Sequence, residues 1–179
     1  MARLPLVDPD ATDPDLDVVF DVFRSAGREV PVLYRALGNS PRLLRAWTDF
    51  AWPLRADATT PRGLRELAIL RVSQLTGADF EWHAHAPIAL QFGGTQEQID
   101  ALESWSTSDV FDADQRLVLA AADRLTTDLA IDEATFAALN ERWTPAEMVE
   151  LVLTIAFYSC VSRVLSALDI HAPPEPSPK

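Results

Sequence analysis

Glu66, Glu81 and His85 are the residues whose types and spacing are best suited to chemistry. They lie within one stretch, residues 61–93, which also holds His83 and so two of the chain's three histidines. On a helix Glu81 and His85 are four apart and share a face, and Asp79 and His83 are likewise paired. A Glu–His pair partly out of water holds the imidazole charged, or fixes its tautomer, near neutral pH, which is what a general acid or base requires. On an open helix surface the same pairs add only about a few tenths of a kcal/mol. His83 and His85 are two apart and point about 200° away from each other at about 100° per residue. They therefore cannot chelate one metal from one helix, and no metal site is expected. Glu66 sits one helix earlier among Leu64, Leu67 and Leu70. A carboxylate in such a setting either reaches solvent or, when desolvated, grips its proton more tightly and suits proton transfer; residue type alone points to solvent. Arg71 is a candidate anchor for a substrate carboxylate, with a surface position as the plainer reading. Trp82, beside the histidines, is placed to wall a pocket, while the other tryptophans read as core.

Two helices must position these groups. Thr60 followed by Pro61 reads as an N-cap and first helical residue, and Leu64, Leu67, Ala68, Val72 and Leu75 recur at near-helical spacing. Gly77 supplies the left-handed cap that ends this helix. Asp79 is placed to cap a second helix running to about Phe92, kinked at Pro87 and closed by Gly93 and Gly94. Around this hairpin the pattern gives further helices. One starts at Asp13-Pro14, a short one at Pro31, and a third at Ser40-Pro41 with Leu43, Leu44, Trp47 and Phe50 on one face and a kink or end at Pro53. Others are capped by Thr95 with Gln98, by Asp112 and by Asp132. The Thr144–Glu147 capping box opens the last helix, apolar nearly all round from Val149 to Tyr158. Such a helix is buried on most sides, at a bundle centre or a subunit interface, and Cys160 within it reads as an inert buried thiol. No strand is expected. The fold class is therefore all-α, with an arm over residues 1–13, one domain over 14–170 and a Pro-rich tail over 171–179.

The chain has 179 residues, enough for one domain with a real core. Its 15 basic and 27 acidic residues give a net charge of −12, which argues against nucleic acid as a partner. The single cysteine excludes a disulfide framework and any Cys-x-x-Cys redox or zinc motif. No uninterrupted apolar run reaches the roughly 18 residues of a membrane span. The first residues lack the apolar segment of a signal peptide, so a cytoplasmic protein without membrane partners is expected.

The segments PVLYRALGNSPRLLRAWTDFAWPLR, RELAILRVSQLTGADFEWHAHAPIAL and MVELVLTIAFYSCVSRVLSAL together resemble the carboxymuconolactone decarboxylase-like proteins, which include alkylhydroperoxidase D. The peroxidase branch of that family carries Glu, eleven residues, Cys-x-x-Cys, three residues, His. Laid on this chain from Glu66, the two cysteine positions fall on Ala78 and Glu81 and the histidine on His85. A further histidine of the peroxidase corresponds to Phe80. Glutamate and histidine match; both sulfurs are missing. Thiol-based peroxide or disulfide reduction is therefore not expected.

The resemblance implies an all-α fold whose hairpins assemble into homotrimers or homohexamers, and a cofactor-independent, decarboxylase-like lyase acting on a small carboxylated lactone or related metabolite. Glu66 and His85 would move the proton, Glu81 would orient the ring, and Arg71 or His83 would meet the carboxylate beside Trp82. Decarboxylation, isomerisation and dehydration are all open to that set. The rival expectation is a non-catalytic oligomeric binding or accessory protein that kept the fold without the redox centre.

Overall fold

A computed structural model gives the structure of residues 2–172. Among the described residues there are helices and turns but no strand. The described residues form two compact units, one from residues 2–57 with 164–171, the other from 58–163 with Ala172. Beyond Ala172, the expected tail lies outside the described residues.

The first unit holds α1 (Pro14–Arg24), α2 (Val32–Leu37) and α3 (Pro41–Ala56). Asp13 caps α1, its carboxylate accepting from the amides of Asp15 and Leu16, and Pro14 follows where a missing N–H costs nothing. Helix α1 packs on α3. The buried face of α3 is Leu44, Thr48, Ala51 and Leu54, whereas Leu43 is 70% and Phe50 45% exposed. The face expected from the sequence mixed neighbours that the helical twist sends to opposite sides. Nor does Pro53 end α3, which runs on to Ala56. The arm is tied down by side chains of α1, α2 and the turn after α2. Arg24 donates to the carbonyls of Pro9 and Ala11, Arg35 to Val7 and Asn39 to Pro5.

The second unit is built on α4 (Arg62–Thr76), which packs against α5 (Asp79–Gln91) and α7 (Ala113–Thr127). Between α5 and α7 come α6 (Gln96–Ala101) and a 3-10 turn at Leu102–Ser104; α8 (Glu133–Asn140) and α9 (Pro145–Leu168) follow, with α9 in this unit up to Arg163. The capping boxes expected at Thr95–Gln98 and Thr144–Glu147 are formed, Asp112 caps α7 and completes a further box with Gln115, and Asp132 caps α8. The first two helix starts of the hairpin differ from expectation. Pro61, not Thr60, is the N-cap of α4, and the amides of Thr59 and Thr60 donate instead to the Glu150 carboxylate on α9. Ala78, not Asp79, is the N-cap of α5; Asp79 lies inside the helix and accepts from the adjacent Phe80 amide.

Helix α4 is buried without a break from Arg65 to Ser73. Gly77 ends it at φ +67°, a left-handed conformation that a Cβ would strain. At the other end, a Cβ on Gly63 would lie 2.6 Å from the Phe92 carbonyl oxygen, so a side chain there would push the end of α5 away. Leu67, Leu70, Ala89, Ile99, Leu102, Phe111 and Leu119 form the adjoining core, with Trp82 and Trp105 packed on it.

Helix α9 departs from the expectation of near-complete burial. One side is buried through Met148, Leu151, Ile155, Tyr158 and Val161, but Val149, Ala156 and Cys160 are exposed. Cys160 is thus a surface thiol, not a core one. By length and composition α9 also meets the requirement for a membrane-spanning helix, with a mean hydropathy of 1.8 over its most apolar window, half of which is buried. The expectation that no segment comes near that requirement rested on uninterrupted runs, which Thr154, Ser159 and Ser162 break.

Candidate active site

The hairpin of α4 and α5 brings Glu66, Glu81 and His85 together. His85 Nδ1 is 2.6 Å from Glu66 Oε2 across the two helices, and Nε2 is 3.1 Å from Glu81 Oε2 within α5. A carboxylate can only accept, so Nδ1 carries a proton and donates to Glu66. Arg62, one turn before Glu66, places Nη2 2.5 Å from Glu66 Oε1 and stacks its guanidinium over the Phe92 ring. The Tyr158 ring of α9 meets the imidazole edge-on at 4.9 Å. Glu66, Glu81 and His85 are 0%, 3% and 4% exposed, which excludes the solvent-facing reading of Glu66.

Charge is balanced along this row. Arg62 faces Glu66, and an imidazolium at His85 faces Glu81. Burial opposes charge on the imidazole, but hydrogen bonds to Glu66 and then Glu81 outweigh it and hold His85 above the ordinary histidine value. The cluster therefore favours the protonated form of His85 more than an exposed histidine would.

The other candidates lie elsewhere. Arg71 is buried, and its guanidinium grips Asp123 of α7 at 2.5 and 3.1 Å while donating to Gln74 and to the Leu102 carbonyl. Trp105 donates to the same Asp123 carboxylate. Arg71 thus ties α4 to α7 and the 3-10 turn. His83 is exposed, and its Nδ1 donates to the Asp79 carbonyl at 2.7 Å. His83, Trp82, Asp79, Ala78 and Gln74 line an open cavity of about 280 Å³ at the α4–α5 turn. It has no arginine or lysine in its wall.

Residues 41–124 match the carboxymuconolactone decarboxylase family. In the alkylhydroperoxidase AhpD core of an uncharacterized peroxidase-related protein from Ralstonia eutropha JMP134, the same fold recurs. The TM-score is 0.82 over 97% of this chain and 93% of that one, at 22% identity. Residues 41–124 are thus similar to that family, and the chain as a whole has the alkylhydroperoxidase D-like fold. The uncharacterized protein YdfG of Bacillus subtilis (strain 168) is 26% identical over 113 residues, covering 62% of this chain and 77% of that protein. The debrominase Bmp8, solved with 2,3,4-tribromopyrrole, has a TM-score of 0.76 over 94% of this chain and 92% of its own, at 23% identity.

Arg62, Glu66, Glu81 and His85 all fall within the matched residues 41–124. Glu81 occupies one of the two positions where the peroxidase pattern has cysteine, and it faces His85. Arg62 was not among the residues singled out from the sequence, although its i,i+4 spacing to Glu66 was readable there. Tyr158 carries no such signal, since it reaches His85 from 73 residues downstream.

Proposed function

We propose that this protein is an acid–base enzyme that moves a proton at a carbon of a small cyclic metabolite, without using thiol chemistry. The observation that carries the reading is the buried Glu66–His85–Glu81 row, with a carboxylate on each imidazole nitrogen. Glu66 fixes the ring through Nδ1 and leaves Nε2 to exchange a proton with Glu81. Glu81 is the member assigned to substrate: it lies in the first turn of α5, between Asp79 and Trp82 of the cavity wall in sequence, although it is buried and not itself part of that wall. This exchanges the roles that the sequence suggested for Glu66 and Glu81. In the forward step the Glu81 carboxylate removes a proton from a carbon next to a carbonyl, the electron pair moving into an enolate. The proton then returns from Glu81 or His85 to the same or a conjugated carbon, giving an isomerised product; delivered to a carbon that has lost CO₂, it completes a decarboxylation.

A substrate carboxylate finds no cationic anchor, since Arg71 is engaged by Asp123 and the cavity wall holds none. A neutral lactone or conjugated ring beside Trp82 fits better than a dianion. Self-association through the exposed apolar side of α9 belongs to the same reading.

The burial of all three side chains favours a second reading, a structural cluster in a non-catalytic oligomer. One experiment separates them. Lactones with and without a carboxylate, and β,γ-unsaturated acids, are incubated in D₂O with wild type, Glu81→Gln and His85→Gln, and followed by NMR. Deuterium at a substrate carbon with wild type, falling about 100-fold or more in both folded variants, is expected. Full exchange by His85→Gln, or none by wild type, overturns the enzyme reading.

A further inference from the structure

Arg62 has no part in the proton transfer described above, yet it is tied to the site from two sides. Its guanidinium lies 2.5 Å from Glu66 Oε1, with side chains 16% and 0% exposed, and 5.7 Å from the Phe92 ring centroid. Gly63 beside it is pressed against the Phe92 carbonyl oxygen, which fixes the start of α4 against the end of α5. The cation is thus held at the far end of the row from Glu81, in a place where its charge is poorly screened by water.

From this geometry we infer that Arg62 is the positioning residue that sets where the mobile proton sits. It balances the charge of Glu66 and holds that carboxylate in register, so that His85 exchanges its proton with Glu81 rather than trapping it between His85 and Glu66. The inference rests on the acid–base reading of the same site. Without the arginine, Glu66 would present a less compensated negative charge to Nδ1, and the imidazolium would be held too firmly to release its proton. The charged or titratable groups around His85 are Arg62, Arg65 and Glu66 on α4, Glu81 on α5, and Tyr158 on α9. Arg65 also feels the Glu66 charge, but its Nε donates to the Thr60 carbonyl and it is drawn to Glu150 as well, whereas Arg62 makes the direct ion pair with Glu66.

The test is an NMR titration of the full chain, following the ring nitrogens of His85, with the two other histidines assigned by His83→Gln and His171→Gln. Arg62→Met is expected to raise the His85 midpoint by about one pH unit or more, whereas Arg62→Lys, which keeps the charge, leaves it within about 0.3 unit. A midpoint that stays or falls in Arg62→Met overturns the inference, since a merely structural arginine would lower stability without moving it. If Arg62→Met does not fold, Arg62→Lys still decides, because a shift of a full unit there contradicts the role of charge. The titration uses no substrate. A shifted midpoint with no deuterium exchange in wild type would sink the enzyme reading alone, and an unmoved midpoint with active enzyme would sink the role of Arg62 alone.

Discussion

Helix α4 carries Arg62, Arg65, Glu66 and Arg71, yet it is buried continuously from Arg65 to Ser73. Helix α9 is the most apolar stretch of the chain, yet it leaves Val149, Ala156 and Cys160 in solvent. Composition alone would rank them the other way. The difference is explained by partners. Each charge on α4 meets a counter-charge or carbonyl from another turn or helix: Arg62 with Glu66, Glu66 with His85, Arg71 with Asp123, Arg65 with the Thr60 carbonyl. Buried charge is tolerated when paired and hydrogen-bonded. On α9, Val149, Ala156 and Cys160 recur at intervals of seven and four, a stripe of the spacing that seats one helix on another. One helix hides charge because each charged side chain has a counter-charge or carbonyl beside it; the other shows apolar surface within a single chain.

The sharpest way to break this comparison is to unpair α4. Glu66→Ala removes the partner of both Arg62 and His85, leaving two buried cations facing each other across the vacated site. A loss of about 3–5 kcal/mol is expected, the usual cost of orphaning a buried charge. Denaturant unfolding of wild type and variant checks this. A loss below about 1 kcal/mol would mean that the cluster is less tightly closed than its exposure indicates.

Much of the fold was readable because capping is local. The residues from Thr95 to Gln98, Asp112 to Gln115 and Thr144 to Glu147 each specify a helix start within one turn, and all three form. The meeting of Glu81 with His85 was equally local, a single i,i+4 step. What could not be read depended on distant residues. Thr60 does not cap α4, and its amide donates to Glu150, 90 residues away. Arg71 met Asp123 across 52 residues. Glu66 was expected in solvent because nothing in its own helix announces that His85, 19 residues on, folds back to it.

A smaller effect tests the electrostatics of α4 without removing an atom from it. The folded-state pKa of His85 lies above the ordinary value of about 6.5. The proton is therefore bound more tightly in the folded than in the unfolded chain. Its stabilisation is complete below about pH 6.5 and fades as pH rises through the folded midpoint, by about 1.4 kcal/mol per unit of difference. Unfolding free energies measured from pH 6 to 9 should fall over that window in wild type and run flat by comparison in His85→Gln. Parallel curves for the two proteins would remove His85 as the source.

The smallest effect concerns α9, and it separates an open apolar stripe from a covered one. Substituting Cys160→Ser is expected to change the stability of the single chain by less than about 0.5 kcal/mol, as surface substitutions do. The informative quantity is instead the reactivity of the thiol, exposed between Ala156 and Arg163 on the unburied side. In dilute native protein a thiol reagent should modify Cys160 completely without prior unfolding. If a second copy seats on the stripe, as the proposed self-association requires, the rate should fall as protein concentration rises. Val149→Asp, which places a charge on the same side three turns earlier, should restore the fast rate at every concentration. A uniformly fast rate in wild type would leave the stripe uncovered and remove α9 as the interface. The contrast would then stand as it does within one chain: charge hidden by its partners in α4, apolar surface left open in α9.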